Sequence, residues 1–157
     1  MRIKCLVFLA IFSLFSFADA KTSFTEVRRS GVVGWVIDGD TFKLSTGEKI
    51  RLIGVDTPEY QPWRHHVERY GKEASAYSKK LLINRKVLLV GDVKPADKFG
   101  RTLAYVYLEN GMFVNLHLVE EGYAQAMRYP PNTRYSKLFQ EAQKKAKSQK
   151  KGLWKKG

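Results

Sequence analysis

Cysteine is all but missing: the chain of 157 residues has one, Cys5. A mature protein lacking it forms no internal disulfide, and its stability has to come from an ordinary hydrophobic core. Histidine is scarce as well. His65 and His66 are neighbours in a polar stretch and His117 falls in an expected helix, spacings that do not make a zinc site, so all three read as surface or packing residues. Acidic residues number 15 against 28 lysines and arginines. Such an excess draws polyanions through its long-range field, and nucleic acid and anionic membrane are the partners it favours without separating them. The main apolar run, residues 5–17, is about 13 residues long, short of the roughly 20 that a membrane-spanning helix needs.

What is there instead is the layout of a secretory signal. Arg2 and Lys4 precede the run, and the small-residue site Ala18-Asp19-Ala20 follows it. Cys5 opens the run and does not stand at a cleavage site, which argues against a lipid anchor. Residues 1–20 are expected to be removed, leaving residues 21–157 as one domain, secreted or periplasmic, without stable membrane anchoring and monomeric by default. Loss of Arg2, Lys4 and Asp19 leaves 26 basic and 14 acidic residues, a formal charge of +12.

Beyond the signal, short β-branched and aromatic runs alternate with turn residues. Strands are expected over 31–37, 41–44 and 49–55, with turns at Asp38-Gly39 and Thr46-Gly47. Helical spacing of Ala74, Tyr77, Leu81 and Leu82 predicts a helix over 70–84. Strands over 86–90 and 102–108 follow, then a turn at Asn110-Gly111 and a short helix over 115–121 that Gly122 ends in the left-handed conformation. Residues 129–132 read as irregular. A last helix over 134–151 would bury Leu138, Ala142 and Ala146 and expose Lys144, Lys145, Lys147 and Lys150, a solvated face that adds nonspecific attraction for phosphates. Five strands and three helices predict an α+β fold, a five-stranded β-barrel of the oligonucleotide-binding type flanked by three α-helices. That architecture by itself allows binding without chemistry.

Chemistry is suggested by two acidic clusters at strand ends, Asp38-Gly39-Asp40-Thr41 and Asp56-Thr57-Pro58-Glu59. Either alone reads as a turn. Together they describe an oxygen-donor site suited to calcium or magnesium. Arg51, on the strand leading into Asp56, and Arg101, opening the 102–108 strand, offer the planar two-pronged contacts that a phosphodiester needs on its non-bridging oxygens.

The segments Val36-Ile37-Asp38-Gly39-Asp40-Thr41, Arg51-Leu52, Val55-Asp56-Thr57-Pro58-Glu59, Tyr70-Gly71-Lys72-Glu73-Ala74-Ser75, Asp97-Lys98-Phe99-Gly100-Arg101 and Leu103-Ala104-Tyr105-Val106-Tyr107 resemble, in order, successive motifs of the staphylococcal nuclease family. The resemblance spans nearly the whole mature chain. It implies the oligonucleotide-binding barrel and calcium-dependent cleavage of DNA and RNA to 3′-phosphate and 5′-hydroxyl ends. Calcium (Ca2+) would be held by Asp40, Asp56 and the main chain of Thr57, with Asp38 just behind them. Glu59 would act as general base or orient the attacking water, and Arg51 and Arg101 would be the catalytic arginines. Lys98 and Tyr129 correspond to substrate contacts. Phe99 stands where the family often has tyrosine, keeping a stacking face and losing a hydroxyl. Residues 60–69 correspond to a mobile loop, in which Trp63 would either stack on a base or cover the loop's own small core. A non-catalytic nucleic-acid-binding module on the same barrel is the alternative; a membrane-surface role rests on the basic last helix alone.

Overall fold

The computed structural model describes residues 27–155. The expected signal over residues 1–20, with Cys5, lies outside the described residues, as do residues 21–26 and 156–157. No helix among the described residues is long and apolar enough to cross a membrane.

The chain opens with β1 (Arg28–Val36), turns at Asp38-Gly39 into β2 (Thr41–Leu44), and turns again at Thr46-Gly47 into β3 (Lys49–Leu52). Two short ribbons follow: β4 (Val55–Asp56), and β5 (Tyr60–Gln61) paired through a 3-10 turn with β6 (His66–Val67). After α1 (Gly71–Leu82) come β7 (Lys86–Val90), β8 (Thr102–Leu108), α2 (Val114–Glu120), β9 (Gln125–Ala126) and α3 (Ser136–Ser148). Strands β1, β2, β3, β8 and β7 close into a barrel in that order, antiparallel except for the β3–β8 pair. This is the α+β, five-stranded oligonucleotide-binding barrel that the sequence predicts.

Alternation explains the barrel interior. Val33, Phe42, Ile50, Leu52, Val87, Leu89 and Val106 all point inward and are at most 2 % exposed, each burial contributing about 1.5–3 kcal/mol. Below them α2 packs against α3 and against β8. Asn115 on α2 is fully buried, donating to the Ile53 carbonyl and accepting from the Val106 N–H, which ties the helix to the barrel floor.

The expected strand over 49–55 breaks in two. Gly54 adopts a φ of +76°, β3 ends at Leu52, and β4 pairs with β9 instead of extending the barrel. The break is steric as well as conformational, because a Cβ on Gly54 would lie 2.6 Å from the Phe139 ring. Phe139 also corrects the last helix: it is 1 % exposed, while Leu138, expected inside, is 39 % exposed. The aromatic ring fills the hollow that the glycine leaves, and this sets the helix's rotation. That helix spans Ser136–Ser148, inside the expected 134–151, and Ala142 and Ala146 are buried as expected. Gly122 ends α2 at a φ of +74°.

Candidate active site

The 37–40 turn delivers Asp38 and Asp40 to one end of the barrel, and the chain after β4 brings Asp56, Thr57 and Glu59 beside them. Asp40 is 6 % exposed, and both of its carboxylate oxygens accept hydrogen bonds. Its Oδ2 accepts from the Thr57 N–H at 2.9 Å, the Thr57 hydroxyl at 3.1 Å and the Arg51 guanidinium at 2.8 Å; its Oδ1 accepts from the Thr41 hydroxyl at 3.0 Å. Asp38 caps the turn by accepting the Asp40 N–H at 3.2 Å. Glycine is required at position 39, since a Cβ there would lie 2.6 Å from the Thr57 Oγ1 and push the two acidic loops apart. The Ser78 hydroxyl on α1 donates to the Gly39 carbonyl at 2.6 Å and fixes the turn from behind.

Arg51 bridges the two loops. Only 8 % exposed, it donates to the Val55 carbonyl at 2.9 Å, to Asp40 at 2.8 Å and to Asp56 Oδ1 at 2.8 Å. Arg101 is held differently. Its Nε donates to Asp97 Oδ2 at 2.6 Å, its backbone N–H to Asp97 Oδ1 at 3.0 Å, and its guanidinium reaches the Thr41 hydroxyl at 3.4 Å. Burial works against the Asp97 charge, but these N–H donors and that of Phe99 outweigh it and hold the carboxyl below its usual range. Glu59 is oriented by the Gln61 amide, which donates to its Oε2 at 2.7 Å, and its main chain is fixed by Glu68, whose carboxylate accepts the Glu59 N–H at 3.0 Å. Behind it the Glu59 carbonyl passes so close to Gly71 that no Cβ fits there.

Negative charge at this rim is incompletely balanced. Burial, with the charges of Asp40 and Glu59, pushes the Asp38 carboxyl up to about 7. Burial and Asp40 also raise Asp56, although Arg51 pulls it down. All the donors are oxygen, which fits a hard divalent cation such as calcium or magnesium and not zinc. Among the described residues, no group of three or more histidine, cysteine or acidic side chains is already gathered as a ligand shell. Asp40, Asp56 and the Thr57 main chain lie together, and would leave part of the shell to water or substrate.

Two clefts meet at this rim and share Glu59 and Arg101. One runs along Arg51, Asp56, Met127 and Tyr129. The other, of about 460 Å³, passes Asp38, Thr41, Lys49, Trp63 and Phe99. Tyr129 thus lies beside the acids and Glu59. Lys98 stands at the tip of the neighbouring turn, its ammonium 5.0 Å from the Phe99 ring centroid and outside the lining of both clefts. Trp63 is 64 % exposed, so it covers no core of its own loop and faces the second cleft. None of the histidines joins the site. His117 hydrogen-bonds the Tyr77 hydroxyl at 2.7 Å, and His66 lies 3.6 Å from Glu68.

Sequence reasoning did not single out Asp97, Gln61, Glu68 or Ser78, the groups that aim Arg101, Glu59 and the Gly39 turn. The one legible signal was local, the four-residue spacing of Asp97 and Arg101 around a glycine turn. Glu68 and Ser78 act on partners 9 and 39 positions away whose proximity the fold creates, and Gln61 reaches back two positions to Glu59.

An acid-rich barrel rim crossed by two arginines and opening on two clefts is the kind of site that handles a phosphodiester. The family model described as Staphylococcal nuclease homologue matches residues 49–156. The thermonuclease of Staphylococcus intermedius is 49 % identical over 138 residues, covering 85 % of this chain and 82 % of that protein. The thermonuclease of Staphylococcus hyicus is 47 % identical over 122 residues, covering 76 % and 72 %. Endonuclease YncB of Bacillus subtilis (strain 168) is 42 % identical over 125 residues, covering 76 % of this chain and 59 % of that protein. The chain belongs to the staphylococcal nuclease family.

Proposed function

We propose that the chain is an exported, calcium-dependent nuclease that hydrolyses phosphodiester bonds of DNA and RNA with little base preference, leaving 3′-phosphate and 5′-hydroxyl ends. The observation that carries the reading is the convergence of Glu59, Arg101, Arg51 and the paired aspartates where two clefts meet. Export rests on the basic, apolar and small-residue order of residues 1–20.

Asp40, Asp56 and the Thr57 main chain would hold the ion. Bound there, calcium would neutralise charge on the scissile phosphate and lower the barrier to attack by water. Glu59, with Oε2 tied to Gln61, keeps its other oxygen to accept or direct the water's proton. Arg101 lies between both clefts, where it can stabilise the charge that builds on the phosphoryl oxygens and assist the departing 5′-oxygen. Arg51 keeps the two aspartates in place and adds its own positive charge. Tyr129 on one side and Trp63 and Phe99 on the other offer stacking faces, and Lys98 adds charge for a flanking phosphate. Stacking and phosphate contacts carry little sequence information, hence the low specificity.

The competing reading is a barrel that holds nucleic acid without cutting it, favoured by the net charge of +13 and the exposed aromatics. Glu59→Gln separates the two. The nuclease reading expects calcium-dependent hydrolysis of single-stranded DNA to fall on the order of 10² to 10⁴-fold while affinity for the strand is kept. A wild-type protein that retains DNA without turnover would establish the binder.

A further inference from the structure

The outer face of the β1–β2–β3 sheet carries an indole and a row of lysines that the cleavage chemistry does not use. Their placement begins with an irregularity in β1. Val33 pairs with Leu44 and Val36 with Phe42, and all four are buried. Strict alternation from Val33 would turn Trp35 into the barrel. The register shifts between Val33 and Trp35, with Gly34 as the extra residue, and the indole is sent outward, 59 % exposed. A Cβ on Gly34 would approach the Ser45 backbone to 3.1 Å, so the bulge suits a glycine.

Trp35 pairs with Lys43, and Lys43 pairs with Lys49. Directly opposed residues in a ladder share a face, so the three side chains form one row. The next outward pair on β2 and β3 is Thr41 and Arg51, about 7 Å further along the strands, and those residues already belong to the site. Lys49 lines the cleft that holds Glu59, Trp63, Phe99 and Arg101. Lys79 on α1 holds its ammonium 5.5 Å from the Trp35 ring centroid. Positive charge is therefore continuous from the cleft to the indole, and the contact with Lys79 leaves most of Trp35 in water. An isolated exposed tryptophan needs no explanation. One that a bulge turns outward, in register with two lysines leading to an active-site cleft, has a matching ligand.

We propose that this row is a secondary track for single-stranded nucleic acid. A strand whose scissile phosphate lies at Glu59 and Arg101 continues over Lys49 and Lys43 and stacks a base on Trp35, with Lys79 beside a flanking phosphate. Stacking needs an unpaired base, so a duplex gains nothing from the indole. The track rests on the nuclease reading for the position of the strand's reacting end.

The test measures binding of fluorescein-labelled oligo-dT strands of about 4 and about 20 nucleotides to Glu59→Gln protein in chelator, with and without Trp35→Ala, beside hydrolysis of both strands by wild type in calcium. The expected result is about tenfold weaker binding of the long strand without the indole, less than twofold change for the short one, and recovery in Trp35→Phe. No loss on the long strand, or equal loss on both, overturns the track. Cutting by wild type with no dependence of long-strand binding on Trp35 leaves the nuclease and removes the track. Trp35-dependent binding without any cutting does the reverse.

Discussion

Arg51 and Arg101 approach the same reaction centre from opposite conditions. Arg51 is 8 % exposed, and its hydrogen bonds run to two carboxylates and two carbonyls of its own neighbourhood. The Arg101 side chain keeps 28 % of its surface, anchored through Nε to a single aspartate and resting 5.6 Å from the Phe99 ring centroid. The first is wired into the fold and the second is aimed from it. A guanidinium that holds two acidic loops together cannot be removed without leaving those acids exposed to each other, whereas one held by a turn can be lost with little else disturbed.

The largest expected effect follows from that asymmetry. Arg51→Ala leaves Asp40 buried without its counter-ion, and breaking a buried pair in this way costs about 3–5 kcal/mol; denaturant unfolding in chelator should record a loss of that size along with the loss of hydrolysis. Arg101→Ala comes next. Its rate should fall on the order of 10² to 10³-fold while unfolding free energy falls by clearly less than for Arg51→Ala, because the buried Asp97 carboxylate keeps the backbone N–H donors of Phe99 and of position 101 when the side chain is removed. Equal destabilisation by the two substitutions would erase the distinction.

The smallest effect sharpens it. Asp97→Asn keeps the turn and weakens the aim, so kcat should fall about tenfold, less than on removing Arg101 itself. It should also change the acid limb. The Asp97 carboxyl is held below its unfolded value, so its contribution to stability is present above that value and is lost as pH falls through the lowered one. Wild type should therefore lose stability more steeply than the asparagine variant as pH drops below about 4, as followed by circular dichroism.

The fold was legible wherever local pattern and partner agreed. Strands at Thr41–Leu44, Lys86–Val90 and Thr102–Leu108 fall where alternation and turn residues place them. The run over 49–55 did not reveal its break, because Ile53 and Val55 continue the apolar pattern and the left-handed Gly54 is explained by Phe139, 85 positions later. The same ring accounts for the misplacement of Leu138. β1 begins at Arg28, before the expected Gly31, because its ladder with β7 uses backbone groups under polar side chains. At the site, the acids and arginines stood out through charge at strand ends and through family resemblance. The donors that orient them did not, since Ser78 reaches Gly39 only after α1 has packed against the barrel.

The measurement that bears most directly on the account is the initial rate of hydrolysis of single-stranded DNA and RNA in calcium, in magnesium and in chelator. The account predicts cutting of both polymers in calcium, little turnover in magnesium and none in chelator. Cutting that persists in chelator would contradict the role given to Asp40, Asp56 and Thr57, and retention of both polymers without cutting in any condition would contradict the nuclease itself.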